Sequence, residues 1–142
     1  MSVPAVTARV YASDEVQYFS YLRSLYFDHD VSFDNEYRYF YEHGFATPGF
    51  HDTFLSDERL TDAGRRVNYG TIGSALLWSP FYVIADVWTR LTGAAPADGF
   101  SKPYVAAVAF GSALYAFVAL LLSLRAARII VGRSGSLVAM LA

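Results

Sequence analysis

From Asp14 to Asp28 the apolar side chains recur at helical spacing: Phe19, Leu22 and Tyr26 share one side, with Tyr18 and Leu25 beside them. That pattern predicts a helix opened by Asp14 as its N-cap, with Gln17 three residues on completing a capping box. It is expected to end near Asp28-His29-Asp30, after which "DNEYRYFYEHGF" reads as aromatic-rich loop or short helix up to Gly44. Residues 46–70 are polar and turn-rich, with Pro48-Gly49 and Ala63-Gly64 as breakers and room for one short helix within "SDERLTDAGRR".

Two apolar runs follow. Tyr104 to Leu124 is free of charge and long enough to cross a bilayer as a helix. Gly111, Ser112 and the Ala-rich faces of this run favour close helix contacts in lipid. Lys102-Pro103 opens it, Pro being tolerated in the first turn. Arg125, Arg128 and Arg133 follow it, and the positive-inside tendency puts that end in the cytoplasm. Beyond Gly135, "SLVAMLA" reads as the start of another apolar helix, so the chain is expected to be a fragment of a larger polytopic protein.

The run from Thr71 to Leu91 is apolar too, but it holds Pro80, Asp86, Arg90 and both Trp residues. A charge in hydrocarbon is costly and Trp prefers the interface. As a span this run puts residues 1–70 in the cytoplasm with Arg125; as an interfacial helix it leaves them on the opposite side. Residues 1–70 carry six basic and eleven acidic residues, without the Lys/Arg excess of a cytoplasmic segment, which favours the interface. The expected fold class is an all-α membrane protein. Its parts are an extracytoplasmic acid- and aromatic-rich region with short helices (1–70), an interfacial or embedded helix (71–92), a transmembrane helix (103–125) and the start of a further one (135–142).

Composition narrows the function classes. The 142 residues are 54% hydrophobic and 17% aromatic, with 17% charged and a net charge of −2, which suits a membrane protein better than a soluble domain. All the acids precede Lys102, and no basic stripe points to nucleic acid. Without cysteine there is no disulfide, thiolate metal site or Cys nucleophile. No Ser-His-Asp arrangement or phosphate-cradling Gly loop is present. Asp28 and Asp30, at i and i+2, read first as a solvated turn and second as ligands for a divalent metal shared with water and phosphate. His43 and His51 read as solvated loop residues.

The order Asp14, Glu15, Tyr18, Leu22 and then "SLYFDHDVSFDNEY" resembles the first extracytoplasmic loop of the GT-C membrane glycosyltransferases, which use polyprenyl-phosphate sugars. "NYGTIGSALLWSPFYVIADVW" is similar to the stretch those enzymes carry before a span, though the Pro that usually follows its Tyr is missing, and "YAFVALLLSLRAARIIVGRSG" is similar to a span ending in basic residues. The resemblance runs from about Asp14 to the end of the chain. It implies Asp14 as catalytic base in transfer of a sugar to an acceptor hydroxyl or phosphate. Glu15, Tyr18, Asp34, Glu36 and Arg38 become substrate-binding candidates, and membrane lipid and a polyprenyl-phosphate-linked sugar become partners. Tyr37, Tyr39 and Tyr41, with Arg38 between them, would form a shelf at headgroup level, since sugar C–H faces pack on rings; plain interface anchoring is the alternative for any one ring. It also implies a span before Asp14 and many after the last residue, so these 142 residues are not expected to catalyse alone. Two other classes stay open: a small non-catalytic membrane anchor or partner subunit, and a transporter fragment in which Asp86 and Pro80 mark an ion path.

Overall fold

A computed structural model describes residues 10, 12–44 and 47–141, with side chains as far as residue 130. Helix α1 (Ser13–Arg23) runs on through a π-helical turn (Ser24–Asp28) and is followed by α2 (Asp34–His43). A short turn of helix, α3 (Pro48–Phe50), continues as a π turn (His51–Leu55), and a 3-10 turn follows at Asp57–Arg59. Two long helices complete the chain, α4 (Ile72–Thr92) and α5 (Lys102–Leu141). Among the described residues there is no strand, only an isolated bridge between Leu60 and Arg66.

Of the apolar stripe foreseen on α1, Phe19 and Leu22 are buried under protein, Tyr18 and Tyr26 are half-buried and Leu25 is exposed. Val16, Phe19 and Leu22 point inward together with Ser20, whose hydroxyl donates to the Val16 carbonyl at 2.7 Å. Phe19 is the hub of the core: its ring meets Phe40 of α2 edge-on at 5.6 Å, Tyr82 of α4 at 5.8 Å and Phe100 of the α4–α5 loop at 6.4 Å. Edge-to-face packing of this kind adds about 0.5–1.5 kcal/mol per pair beyond area burial. The aromatic richness of the chain is thus largely the core itself.

Helices α4 and α5 run antiparallel. Tyr104 packs on Tyr82 (5.0 Å between centroids), Trp78 Nε1 donates to Ser112 Oγ (2.8 Å), and the Tyr115 hydroxyl donates to the Leu77 carbonyl (3.0 Å). Gly111 lets the two approach, because a Cβ there would lie 2.6 Å from the Phe81 ring. Pro80 sits mid-helix without breaking α4. It has no N–H for the Leu76 carbonyl, and the Ser79 hydroxyl donates to that carbonyl instead, at 2.8 Å. Gly93, at φ +63°, ends α4 with its N–H on the Thr89 carbonyl. In the loop beyond, Gly99 (φ +81°) passes so close that an added Cβ would lie 2.5 Å from the Tyr82 hydroxyl.

Among the described residues α5 alone is long and apolar enough to cross a membrane. After Tyr115 its apolar side chains, Phe117, Val118 and Leu120 to Leu122, are exposed. So is the outer face of α4, with Leu76, Ile84 and Leu91 more than 60% exposed. The break expected between residues 125 and 135 is not there: α5 continues through Gly132 and Gly135, since a lone Gly weakens a helix by only about 1 kcal/mol and no Pro intervenes.

Candidate functional site

Helix α1 starts two residues earlier than its pattern predicts. Ala12 is the N-cap residue, and Glu15 Oε2 reaches back to accept from its N–H at 3.2 Å. Asp14 is therefore not the cap. Its carboxylate lies exposed on the first turn, with no ion-pair or hydrogen-bond partner among the described residues. That turn is pinned to the entry of α4: Gln17 Oε1 accepts from the Tyr69 N–H at 2.9 Å, and Asn68 Nδ2 donates to the Gln17 carbonyl at 3.0 Å. Tyr18 is half-buried edge-on against Trp78, 6.2 Å between centroids. Asp14, Glu15 and Tyr18 thus stay together, although Glu15 serves its own helix end.

The other predicted residues separate into internal pairs. Arg23 Nη1 donates to Asp28 Oδ2 and, at 2.9 Å, to Glu36 Oε1, while Asn35 Nδ2 donates to Asp28 Oδ2 at 2.7 Å. The Arg23 guanidinium also lies over the Phe100 ring at 4.6 Å. Glu36 is fully buried, so it braces the lobe from within and offers no sugar contact. Burial pushes its carboxyl up to about 7, against the opposing pull of Arg23. Neither Glu36 Oε2 nor Arg23 Nε has a hydrogen-bond partner among the described residues.

Asp30 has different partners from Asp28. Its Oδ1 accepts from Ser24 Oγ (2.7 Å) and the Ser32 N–H (3.0 Å). The Ser32 N–H first, and the Ser24 hydroxyl second, hold it below the usual carboxylate range. With Asp28 engaged by a guanidinium and Asp30 by this turn, the pair does not fit a shared divalent ion. No group of three or more His, Asp or Glu side chains suited to a metal is present among the described residues.

On the outer face of α2, Asp34 accepts from Arg38 Nε at 2.5 Å and from Arg66 Nε at 2.9 Å. Arg38, then Arg66, keeps its carboxyl below the ordinary range. The three tyrosines do not make one shelf. Successive helical residues turn by about 100°, so Tyr37 and Tyr41 lie on one side and Tyr39 on the other. Tyr37 is fully buried with its hydroxyl donating to the Val67 carbonyl (3.3 Å), and Tyr39 stacks between Phe100 (3.9 Å) and His43 (4.1 Å). Tyr41 faces Phe50 and His51.

Three residues organise this lobe: Arg23 and Arg66, which do not stand out as site candidates in the sequence, and Asp86, which the sequence offers only as the mark of an ion path. The one signal for Arg23 is that it and Arg38 are the only Arg or Lys among the acids of residues 13–45. Asp86 closes the lobe onto the hairpin. Its Oδ1 accepts from the Tyr104 hydroxyl (2.6 Å), and its Oδ2 from the Tyr26 hydroxyl (3.0 Å) and Arg90 Nε (2.8 Å). A charge that is expensive in an apolar helix is thereby fully paired. No family model, curated protein or solved structure matches the chain.

Proposed function

We propose that the chain is part of a GT-C-type membrane glycosyltransferase, with Asp14 as the base that takes the acceptor proton during sugar transfer from a polyprenyl phosphate. One observation carries the reading: among the predicted site residues, Asp14 is the acid left exposed and without a partner among the described residues, on a turn anchored to the entry of α4, whose outer apolar face is exposed. The acceptor hydroxyl must lose a proton as the anomeric centre gains positive charge, and a carboxylate both accepts that proton and stabilises the centre. In this reading residues 1–102 are extracytoplasmic and Arg125 to Arg133 cytoplasmic, in a multi-pass protein. The polyprenyl chain lies along the apolar surface of α4 and α5, and Tyr18 flanks the sugar.

Asp14→Asn in a full-length polytopic protein that contains these residues and has measurable activity should lower transfer from a labelled polyprenyl-phosphate sugar by about 100-fold or more, at unchanged protein level. Undiminished transfer removes Asp14 from the mechanism. A topology reporter fused near Asp57 should report the extracytoplasmic side. A cytoplasmic signal makes α4 a span and ends this arrangement.

A second reading, a non-catalytic membrane anchor or partner subunit, is favoured by a different observation: Asp28, Asp34, Glu36 and Asp86 all sit in ion pairs within the chain. A flanking reading frame that codes for no further apolar spans on either side supports that reading over the first.

A further inference from the structure

Away from Asp14, the outer face of α2 and the turns of residues 51–57 enclose an open cleft of about 390 Å³, a size within the range of small-molecule sites. Its floor is Arg66, whose side chain is 9% exposed and held in place by the Leu55 and Ser56 carbonyls (2.8 and 3.0 Å) and by Asp34. Tyr41 and His51 form one wall, their rings edge-on at 5.7 Å. Arg38, Glu42 and Asp57 stand around them.

The lining decides the class of ligand. Arg38 and Arg66 supply two positive charges, and Glu42 and Asp57 two negative ones. A phosphate needs a net positive cradle and a metal cation a net negative one, and this set is neither. Leu55 is the one aliphatic side chain among the lining residues, so an apolar ligand gains little. What remains is a neutral molecule dense in hydroxyls with at least one C–H face: hydroxyls donate to Glu42 and Asp57 and accept from Arg38, while the face packs on Tyr41. Arg66 is committed to the protein and fixes Asp57 at 3.0 Å, which sets the position of one acceptor in advance.

We infer that this cleft binds a neutral pyranose unit, which under the function proposed above is the sugar of an acceptor or product. The inference rests on that reading for its role, and on the cleft alone for its chemistry. The test is titration of the detergent-purified chain with methyl glycosides of mannose, glucose and galactose, followed by NMR of the ring protons of Tyr41 and His51. At least one glycoside should give saturable shifts with a Kd of about 1 mM or tighter. Tyr41→Ala and Glu42→Gln should each weaken binding by about tenfold or more, while the circular dichroism spectrum of both and the unfolding midpoint of Glu42→Gln stay as in the parent. Shifts with inorganic phosphate but with none of the glycosides, or glycoside shifts that both variants leave unchanged, overturn the inference. So does the absence of any saturable response. Failure here leaves Asp14-dependent transfer intact, and loss of that transfer leaves glycoside binding intact, so the two proposals fail separately.

Discussion

Arg23→Met is expected to destabilise the detergent-solubilised protein by about 3–5 kcal/mol at pH 8, the range seen when one partner of a buried ion pair is removed. Met matches the Arg stem well enough to keep contact with Phe27 and Phe100, so the loss is chiefly of charge. Asp28 is partly exposed and keeps Asn35, so it tolerates the change. Glu36 does not, because its carboxylate is then fully buried with no counter-charge. The defect should therefore shrink as the pH falls to 5, where Glu36 folds as the neutral acid. The parent protein already shows the sign. Glu36 has a folded pKa raised from 4.5 to about 7, so the native state binds the extra proton between those values. Stability contributed by the neutral acid is fully present below about 4.5, is lost as pH rises through 7, and amounts to roughly 3 kcal/mol. Chemical unfolding at pH 5 and pH 8 measures both effects. Adding Glu36→Gln to Arg23→Met should restore most of the pH 8 loss. An equal loss at the two pH values, unrelieved by the Gln, would assign it to packing instead.

Elements set by hydrophobic period are legible in the chain of residues alone. Phe19 and Leu22 recur at a spacing that only a helix puts on one face, and the run from Tyr104 to Leu124 is too long and apolar to be anything but helical. Pro48-Gly49 has the composition of a breaker, yet it opens a helical turn. Thr47 accepts the Phe50 N–H on its side chain and Pro48 takes the first helical position, the usual start signal. The candidate site is harder to read for a different reason. Asp14 and Glu15 are neighbours in sequence, yet which of them serves the helix end depends on a two-residue shift in where the helix begins. Arg23 and Glu36 lie thirteen residues apart, and Tyr26 and Asp86 sixty, so each pair exists only after α1 packs on α2 and α4. Local patterns carry no information about such partners. Helical periodicity does carry the division of Tyr37 and Tyr39 between opposite faces of α2, and Tyr37 is the ring that belongs to the core.

Asp86→Ala is expected to cost about 2–4 kcal/mol and to loosen the α1 lobe from the α4–α5 hairpin. The substitution takes the acceptor from two hydroxyls at once, and a buried donor left unmet costs about 1–3 kcal/mol. Tyr104 is fully buried and Tyr26 half-buried, so Tyr104 bears the larger share. Arg90 is over half exposed and simply returns to solvent. A double-mutant cycle isolates the clasp: Tyr104→Phe should destabilise the parent by about 1 kcal/mol or more, yet add almost nothing once Asp86→Ala is present, because its hydroxyl has already lost its partner. Strictly additive losses would place the Tyr104 hydroxyl on another acceptor. The same clasp acts on the proposed chemistry at a distance. Tyr26 closes the far end of the helix whose first turn carries Asp14, and Gln17 and Tyr18 hold that first turn against α4. If the clasp alone aligned this helix, Asp86→Ala would misplace Asp14 fully; with two anchors at its start, transfer should fall only severalfold while stability falls steeply. That split, measured on the same membranes, separates a group that aligns the lobe from the group that takes the proton.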